Sequence, residues 1–301
     1  RRPDQHAARR SEGRPLRPEV ERVRLVAGKI EALAGLDGLV CDLDGVMYRG
    51  AEPIEGSPEA IARLRELGVQ VVFCTNNANP TIARYIEKLG SMGVSVDRHD
   101  LVTSAVVMAE LLAEEGAAGK SAIVVGGGGL REALGSIHVV VDDDPSSRTA
   151  DYVVVGFDPD FTYESLMRAS FAVQDGAKLI AANADASFPA PDGLWPGAGA
   201  LVAAVEVASG GRARVMGKPH EPMMRIAERH LGDASRIAIV GDRPNTDLEG
   251  GRAMGWTTIL VLTGVTALEE IDEVEPTPDL VLDRLADLPE LLLGAKEAKD
   301  P

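Results

Sequence analysis

The chain has 301 residues, of which 45% are hydrophobic, and a formal net charge of −16. This length suits one large domain or two medium ones. The negative charge argues against nucleic acid or an anionic membrane as a partner, because the chain would repel polyanions. No apolar run approaches the ~20 residues of a membrane span, and both cysteines lie in apolar runs, as in reduced cytosolic proteins. We therefore expect a soluble, cytoplasmic protein.

The amino-terminal part differs in composition from the rest of the chain. Residues 1–17 are rich in arginine and lack apolar periodicity, which predicts a disordered basic tail. A contact of this tail with nucleic acid is the less favoured alternative. Residues 18–36 carry apolar side chains at helical spacing, which predicts an additional helix packed on the domain.

Apolar strands then alternate with helices. A predicted strand at 38–41 precedes Asp42-Leu43-Asp44-Gly45, and another at 69–74 precedes Thr75-Asn76-Asn77. Helices are expected at about 57–67, 81–90 and 103–115. This alternation predicts a parallel, doubly wound sheet, whose ligands bind beyond the carboxyl ends of the strands.

A second series of elements follows a glycine-containing boundary at 116–119. Strands are expected at 122–125, 138–141, 152–155 and 178–181, and helices at about 130–134, 162–174 and 199–209. The series predicts an independent α/β unit over residues 117–212. Gly126 to Gly129 lack the pattern of a P-loop or a dinucleotide-binding turn, so a tight turn is favoured over a phosphate site.

The chain then returns to its first pattern. Strands are expected at 236–240, 257–262 and 280–282, and helices at about 222–231, from 246 onward and at 284–293. Asp242 follows the first of these strands, as Asp42 follows the strand at 38–41. We therefore predict one discontinuous domain, formed by residues 18–116 and 213–301, into which the second unit is inserted.

Four motifs of this domain carry candidate chemistry. They are Asp42-Leu43-Asp44-Gly45, Thr75-Asn76-Asn77, Lys218-Pro219, and Gly241-Asp242 with Asp247. Three of them follow predicted strands of one sheet and should meet at one edge. Carboxylates without histidine or cysteine suit Mg²⁺ better than zinc, and a lysine with a hydroxyl suits phosphoryl oxygens. Each motif alone has an ordinary structural explanation, such as a solvated lysine or a polar turn.

Together the motifs resemble the haloacid dehalogenase superfamily, in particular its subclass IIA phosphatases. That group includes 4-nitrophenyl phosphate, pyridoxal phosphate, phosphoglycolate and glycerol-phosphate phosphatases. The resemblance covers roughly residues 36–293. Further matching motifs are Asp44 to Gly50, Thr103-Ser104-Ala105, Pro196-Gly197-Ala198-Gly199 and Thr246-Asp247. The resemblance implies an α/β fold, namely a Rossmann-like parallel-sheet core with an inserted α/β cap domain of the C2 type.

The resemblance also implies roles in phosphoryl transfer. Asp42 would be the nucleophile that forms an aspartyl-phosphate, and Asp44 would be the general acid and base. Thr75 and Asn76 would hold the phosphoryl oxygens. Lys218 would neutralise these oxygens and position Asp42.

The cofactor implied by the resemblance is Mg²⁺. Asp242 would bind it together with the Asp42 carboxylate and the backbone carbonyl of Asp44, and Asp247 would act directly or through water. The implied partner is a small phosphorylated metabolite. Caps of this class often form dimers, so a homodimer is open.

Cap residues would select the leaving group. The stretch from 183 to 197 matches the cap loop near the substrate, and we expect Phe188, with Asp185 or Trp195, to contact the leaving group. Packing of these aromatic side chains inside the cap is the alternative of equal weight. Cys41 and Cys74 are interpreted as core fillers, with oxidative inhibition as the weaker hypothesis.

The sequence thus predicts a Mg²⁺-dependent phosphomonoesterase. Candidate substrates are glycerol 3-phosphate, 2-phosphoglycolate and pyridoxal phosphate, with 4-nitrophenyl phosphate as an artificial substrate. A phosphotransferase and a catalytically inactive binding module on the same fold are the alternatives. A Rossmann oxidoreductase would leave the acidic and lysine motifs unexplained.

Overall fold

The computed structural model describes residues 23–24, 30–190 and 193–297. The predicted tail, residues 1–17, lies outside these ranges. The strands are β1 (Val23–Arg24), β2 (Gly38–Cys41), β3 (Tyr48–Arg49), β4 (Glu52–Pro53), β5 (Gln70–Thr75), β6 (Leu101–Thr103), β7 (Ser121–Val125), β8 (Val140–Val141), β9 (Tyr152–Val155), β10 (Lys178–Ala181), β11 (Ser187–Ala190), β12 (Gly193–Pro196), β13 (Arg214–Val215), β14 (Ile237–Gly241), β15 (Thr257–Val261) and β16 (Leu280–Leu282).

Helices of several kinds connect these strands. The α-helices are α1 (Ser57–Glu66), α2 (Ile82–Ser91), α3 (Ser104–Glu114), α4 (Gly128–Ser136), α5 (Tyr163–Gln174), α6 (Ala198–Ser209), α7 (Glu221–His230), α8 (Glu249–Ala253) and α9 (Leu288–Glu297). Short 3-10 turns occur at Ile30–Leu33, Leu268–Glu273 and Leu285–Asp287. A π-helical turn, Pro244–Leu248, precedes α8. Within these ranges, no helix has the length and apolar character needed to cross a bilayer.

A seven-stranded sheet forms the core domain, in the order β1-β16-β15-β14-β2-β5-β6. All neighbouring pairs are parallel except β1 with β16. Strand β2 is central and fully buried, with β14 on one side and β5 on the other. Such burial on both faces explains why β2 reads as a continuous apolar run.

The two cysteines lie on opposite faces of this sheet. Cys41 packs into the apolar cluster that contains Leu39 and Phe73, whereas Cys74 packs into the cluster that contains Val40 and Val72. Burial raises the pKa of the Cys41 thiol well above its usual value and that of Cys74 to about 12. Both thiols therefore stay protonated and act as core fillers.

A five-stranded parallel sheet, in the order β13-β10-β9-β7-β8, forms the inserted cap. Helices α5 and α6 cover one face of it. The other face joins the apolar cluster of the core domain, where Val124 and Val154 belong with Met108. Strand β13 pairs with β10, so residues 214–215, predicted to belong to the core domain, form the last strand of the cap sheet.

The glycines at 126–129 bring the cap against the core. The Gly129 N–H donates to the Asn79 carbonyl at 2.9 Å. A Cβ atom at Gly127 would lie 1.3 Å from Asn79 Oδ1, and one at Gly129 would lie 2.3 Å from the Ala78 carbonyl oxygen. Backbone atoms of the core therefore exclude a side chain at Gly129, and the present position of the Asn79 side chain excludes one at Gly127. The interpretation of this run as a plain turn therefore missed its contact with the core.

One sequence prediction of secondary structure was wrong, and two hairpins were missed. Val23–Arg24 is an antiparallel strand at the edge of the core sheet, and Ile30–Leu33 is a 3-10 turn, although a single helix was expected over 18–36. Pairing with β16 outweighs the local helical pattern. Residues 18–22 and 25–29 lie outside the described ranges. The hairpins β3–β4 and β11–β12 were not expected.

Candidate active site

Three neighbouring strands of the core sheet deliver the predicted acidic and hydroxyl groups. Asp42 follows β2, Thr75 ends β5 and Asp242 follows β14, and β2 lies between the other two strands. Lys218 lies in the segment between β13 and α7. The convergence expected from strand-end spacing is therefore present in the fold.

Lys218 is the centre of the arrangement. Its Nζ donates to Asp42 Oδ1 at 2.6 Å, to Asp247 Oδ1 at 2.7 Å and to the Cys74 carbonyl at 3.0 Å. The residue is only 3% exposed. Burial alone would lower the pKa of Lys218, but the Asp247 and Asp42 carboxylates outweigh burial and raise that pKa well above its usual value. The ammonium group is therefore charged in the folded protein.

Asp42, Asp242 and Asp247 form a carboxylate cluster. One oxygen from each lies within 4.8 Å of the others. Three carboxylates and one ammonium leave a formal charge of −3 + 1 = −2 in a buried site. Burial raises the pKa of Asp42 well above its usual value and that of Asp242 to about 6. A buried excess of negative charge is the condition that a divalent cation relieves.

Asp242 tests whether the carboxylate cluster fits a divalent cation. Its Oδ2 accepts a hydrogen bond from the Val265 N–H at 2.7 Å, whereas its Oδ1 is buried without a partner among the described residues. An unpaired buried carboxylate oxygen is costly. The cluster offers only oxygen ligands, which suits Mg²⁺ or Ca²⁺. The donor set therefore fits the predicted cofactor.

Two loops close tightly around Asp242. Gly45 has φ +83°, and a Cβ atom there would lie 2.5 Å from Asp242 Oδ2. A Cβ atom at Gly264 would lie 1.8 Å from the same oxygen. Gly264 was not predicted from the sequence, although a signal was present, because a Thr-Gly pair follows strand β15 at the same sheet edge.

Asp247 is held by the π-helical turn Pro244–Leu248. Its Oδ1 accepts from Lys218, and its Oδ2 accepts from the Arg243 N–H at 3.2 Å. The Asp247 side chain is 0% exposed. A single π turn is common at functional sites, because it redirects one side chain out of helical register.

Asp44 lines a cleft between core and cap. Its side chain is accessible from the cleft, yet the surrounding protein partly excludes water and raises the pKa of Asp44, while Lys88 and Arg243 oppose this shift. Lys88 Nζ lies 3.1 Å from the centre of the Tyr48 ring. A raised carboxyl pKa favours the protonated form that a general acid needs.

Thr75 and Asn76 occupy the predicted place beside Asp42, but their side chains differ in availability. Thr75 Oγ1 accepts from the Asn77 N–H at 3.2 Å. The Asn76 Oδ1 accepts from the Lys218 N–H at 2.7 Å, and its Nδ2 donates to the Lys218 carbonyl and to the Asp185 carboxylate. The Asn76 carbonyl accepts from Ser104 Oγ and Asn183 Nδ2, so both the side chain and the carbonyl of Asn76 are used within the protein.

The cleft has a volume of about 1210 Å³ and is lined by both domains. Phe188 lines it and also stacks on Phe157, with ring centres 4.4 Å apart. The stacking matches the packing alternative, and contact with a leaving group stays a prediction. Asp185 lines the cleft as well. Trp195, paired with Phe188 across β11–β12, is 40% exposed and lies outside the cleft lining.

Four cationic side chains around the cleft were not anticipated from the sequence. They are Arg49, Arg84, Lys88 and Arg243. Arg84 and Lys88 stand four residues apart on α2, so they share one face of that helix. That spacing was the available signal, but a charged helix face is usually only a solvated surface.

Two family models match the chain. Residues 39–139 match the model described as haloacid dehalogenase-like hydrolase, and residues 215–288 match the one described as HAD-hydrolase-like. Most of the cap lies between the two matched ranges. An acid sugar phosphatase of Staphylococcus saprophyticus is 39% identical over 238 residues, which cover 79% of this chain and 90% of that protein.

Solved structures show the same similarity. A 4-nitrophenylphosphatase from Thermotoga maritima superposes with a TM-score of 0.80 at 32% identity, covering 86% of this chain and 98% of that one. A glycerol phosphate phosphatase from Mycobacterium tuberculosis, crystallised in complex with magnesium, gives a TM-score of 0.76 at 32% identity and covers 87% of this chain and 77% of that one.

Proposed function

Because the chain belongs to the haloacid dehalogenase superfamily of hydrolases, we propose that it is a Mg²⁺-dependent phosphomonoesterase acting on a small phosphorylated metabolite. One observation carries the proposal, namely the buried Lys218 ammonium bonded to both Asp42 and Asp247. A catalytically inactive module would have no need for a buried ammonium group held between two carboxylates, because burying these charges is costly. All the motif residues expected of an active enzyme are also present.

The proposed reaction has two balanced steps. In the first, a carboxylate oxygen of Asp42 bonds to phosphorus while the bond from phosphorus to the leaving oxygen breaks, and Asp44 gives that oxygen its proton. In the second, water attacks phosphorus, its proton returns to Asp44, and the bond to Asp42 breaks. The products are the alcohol and inorganic phosphate, and both aspartates regain their starting forms.

Charge neutralisation assists both steps. Lys218 and the Thr75 hydroxyl would contact the phosphoryl oxygens, and Lys218 also holds Asp42 in place through its 2.6 Å contact. Asp42, Asp242, Asp247 and the backbone carbonyl of Asp44 would hold Mg²⁺. When bound, the ion supplies positive charge that offsets repulsion between the carboxylates and the phosphoryl group.

The substrate is proposed only as a class. Glycerol 3-phosphate, 2-phosphoglycolate and pyridoxal phosphate are candidates, and the name of the staphylococcal relative adds sugar phosphates. A cleft of about 1210 Å³ admits all of them. Phe188 is proposed to contact the leaving group, because it faces the cleft from the cap side.

A phosphate-release screen over this metabolite panel, with and without Mg²⁺, tests the proposal. We expect the wild type to release phosphate only with the metal, and Asp42→Asn to lose turnover. Full turnover by Asp42→Asn would refute the nucleophile assignment. Formation of glycerol phosphate in the presence of added glycerol would instead indicate a phosphotransferase.

A further inference from the structure

The amide of Asn76 joins the cap to the catalytic lysine. We call the four residues involved, Asn76, Asn183, Asp185 and Lys218, the Asn76 junction. The Asn76 Nδ2 donates to Asp185 Oδ1 at 3.1 Å and to Oδ2 at 3.3 Å, and also to the Lys218 carbonyl at 3.1 Å. The NH₂ group of Asn76 therefore donates to one residue of the cap, Asp185, and to one residue of the core, Lys218.

On the core side, the junction fixes the backbone of Lys218. The Lys218 N–H donates to Asn76 Oδ1 at 2.7 Å, so the same amide holds both the N–H and the carbonyl of that residue. The side chain of Lys218 then reaches Asp42 and Asp247. The position of the ammonium group therefore depends on the Asn76 amide.

On the cap side, the junction has two attachments. Asn183 Nδ2 donates to the Asn76 carbonyl at 2.8 Å, and Asn183 Oδ1 accepts from the Asp185 N–H at 3.1 Å. Asn183 is 5% exposed. This turn orients the Asp185 carboxylate toward Asn76, and the same loop continues into Ser187 and Phe188, which line the cleft.

We infer that Asp185 is a positioning residue that holds Asn76, and through it Lys218, in the arrangement that receives the phosphoryl group. The inference rests on the proposed function and deepens it. It assigns the two cap side chains of one loop to different tasks, since Asp185 acts on the phosphoryl site and Phe188 acts on the leaving group. The phosphoryl site is then completed only when the cap loop is seated on the core.

Asp185→Ala tests this assignment. We expect kcat/KM to fall by a similar factor, about 10- to 100-fold, for 4-nitrophenyl phosphate and for glycerol 3-phosphate. We also expect inorganic phosphate to bind more weakly with Mg²⁺ present, as measured by calorimetry. Inorganic phosphate has no leaving group, so its weaker binding must come from the phosphoryl site. Unequal losses between the two substrates, with unchanged phosphate binding, would overturn the inference.

Matched variants separate positioning from general loosening of the cap. Asp151 accepts hydrogen bonds from the N–H and hydroxyl of Ser121, far along the chain from the junction, and Asp151→Ala should leave phosphate binding unchanged. An equal loss in this control would overturn the inference. If Asp185→Ala does not fold, Asp185→Asn keeps one acceptor for Asn76 and should show a smaller loss that is again equal for both substrates.

A double-mutant cycle gives an independent test. Asn76→Ala should weaken phosphate binding more than Asp185→Ala does, because it also removes both contacts with the Lys218 backbone. The double variant should be little worse than Asn76→Ala alone, because Asp185 acts through Asn76. Additive losses would contradict the junction. Phosphate binding needs no turnover, so this result is separate from failure of the proposed substrates.

Discussion

The core and the cap differ in how their functional residues are held. In the core, Lys218, Asp42 and Asp247 are buried, and the Lys218 ammonium contacts both carboxylates directly. In the cap, Asp185 lies on a loop and Phe188 lies on the two-stranded hairpin that follows it. Both side chains are half-buried at the cleft. Under the proposed function, the sheet edge carries the groups for phosphoryl transfer, while the cap loop contributes Asp185 to that site and Phe188 to the leaving group.

The largest predicted effect, on the core side, is that of replacing Lys218. Lys218→Met removes the ammonium shared by Asp42 and Asp247, and we expect kcat to fall by at least about 10²-fold for every substrate. Steady-state phosphate release measures the loss. Lys88→Met is the matched control, since Lys88 lies in the same cleft but outside the carboxylate cluster. An equal effect of both variants would show that the cluster is not special.

A second prediction concerns the loop around Asp242. Gly264→Ala would place a methyl group 1.8 Å from Asp242 Oδ2, and we expect the Mg²⁺ concentration for half-maximal activity to rise about 10- to 100-fold. A magnesium titration measures this shift. Gly135→Ala, at a helical position with open space around it, should leave the titration unchanged. An unaltered titration for Gly264→Ala would remove Asp242 from the metal site.

Phe188→Ala tests whether the cap selects the leaving group. We expect the ratio of kcat/KM between two substrates to change by about 10-fold, because an aromatic contact with the leaving group is lost. The magnesium titration should stay as in the wild type. If the ranking of substrates is unchanged, Phe188 serves only to stack on Phe157.

The smallest predicted effect lies away from both sites. In its charged form His230 donates through Nδ1 to the His99 carbonyl at 2.7 Å and through Nε2 to Glu110 Oε1 at 2.8 Å. Burial alone would lower the pKa of His230, but these hydrogen bonds outweigh it and raise that pKa above 6.5. The hydrogen bond from His230 lowers the pKa of Glu110 below 4.5.

The pair should therefore stabilise the fold most between about pH 4.5 and 6.5. The contribution of His230 is lost as pH rises through its raised pKa, and that of Glu110 is lost as pH falls through its lowered pKa. Urea unfolding of wild type and His230→Gln across this range measures the difference in free energy of unfolding. Activity at fixed pH should be similar in both, and a pH-independent difference in stability would contradict the prediction.

Strand-end motifs were the most predictable part of the molecule. Buried parallel strands read as apolar runs, and polar residues directly after them must meet at one edge, so Asp42, Thr75 and Asp242 could be grouped before any coordinates were known. Strands β9, β10 and β16 were predicted at the bounds that the structure shows. The constraint is local, which is why sequence alone carries it.

Contacts between distant segments were less predictable. The hydrogen bonds of the Asn76 side chain are made with Asp185 and Lys218, which lie 109 and 142 positions away in the chain. No local sequence pattern predicts such contacts. The edge strand Val23–Arg24 depends likewise on β16. The hairpin β11–β12 did have a local signal, because the sequence Pro191-Asp192-Gly193 is typical of a turn, but short strands beside prolines are weak candidates.

The bare backbone at Gly127 and Gly129 has a consequence for protein engineering. Cap exchange between relatives is an attractive route to new substrates, since the substrate loop and the catalytic edge belong to different domains. Any grafted cap must nevertheless present glycine at position 129, where the backbone of this core leaves no room for a side chain, and at position 127 wherever the Asn79 side chain keeps its place. The glycine pair is thus a compatibility requirement between modules, independent of the substrate that the cap selects.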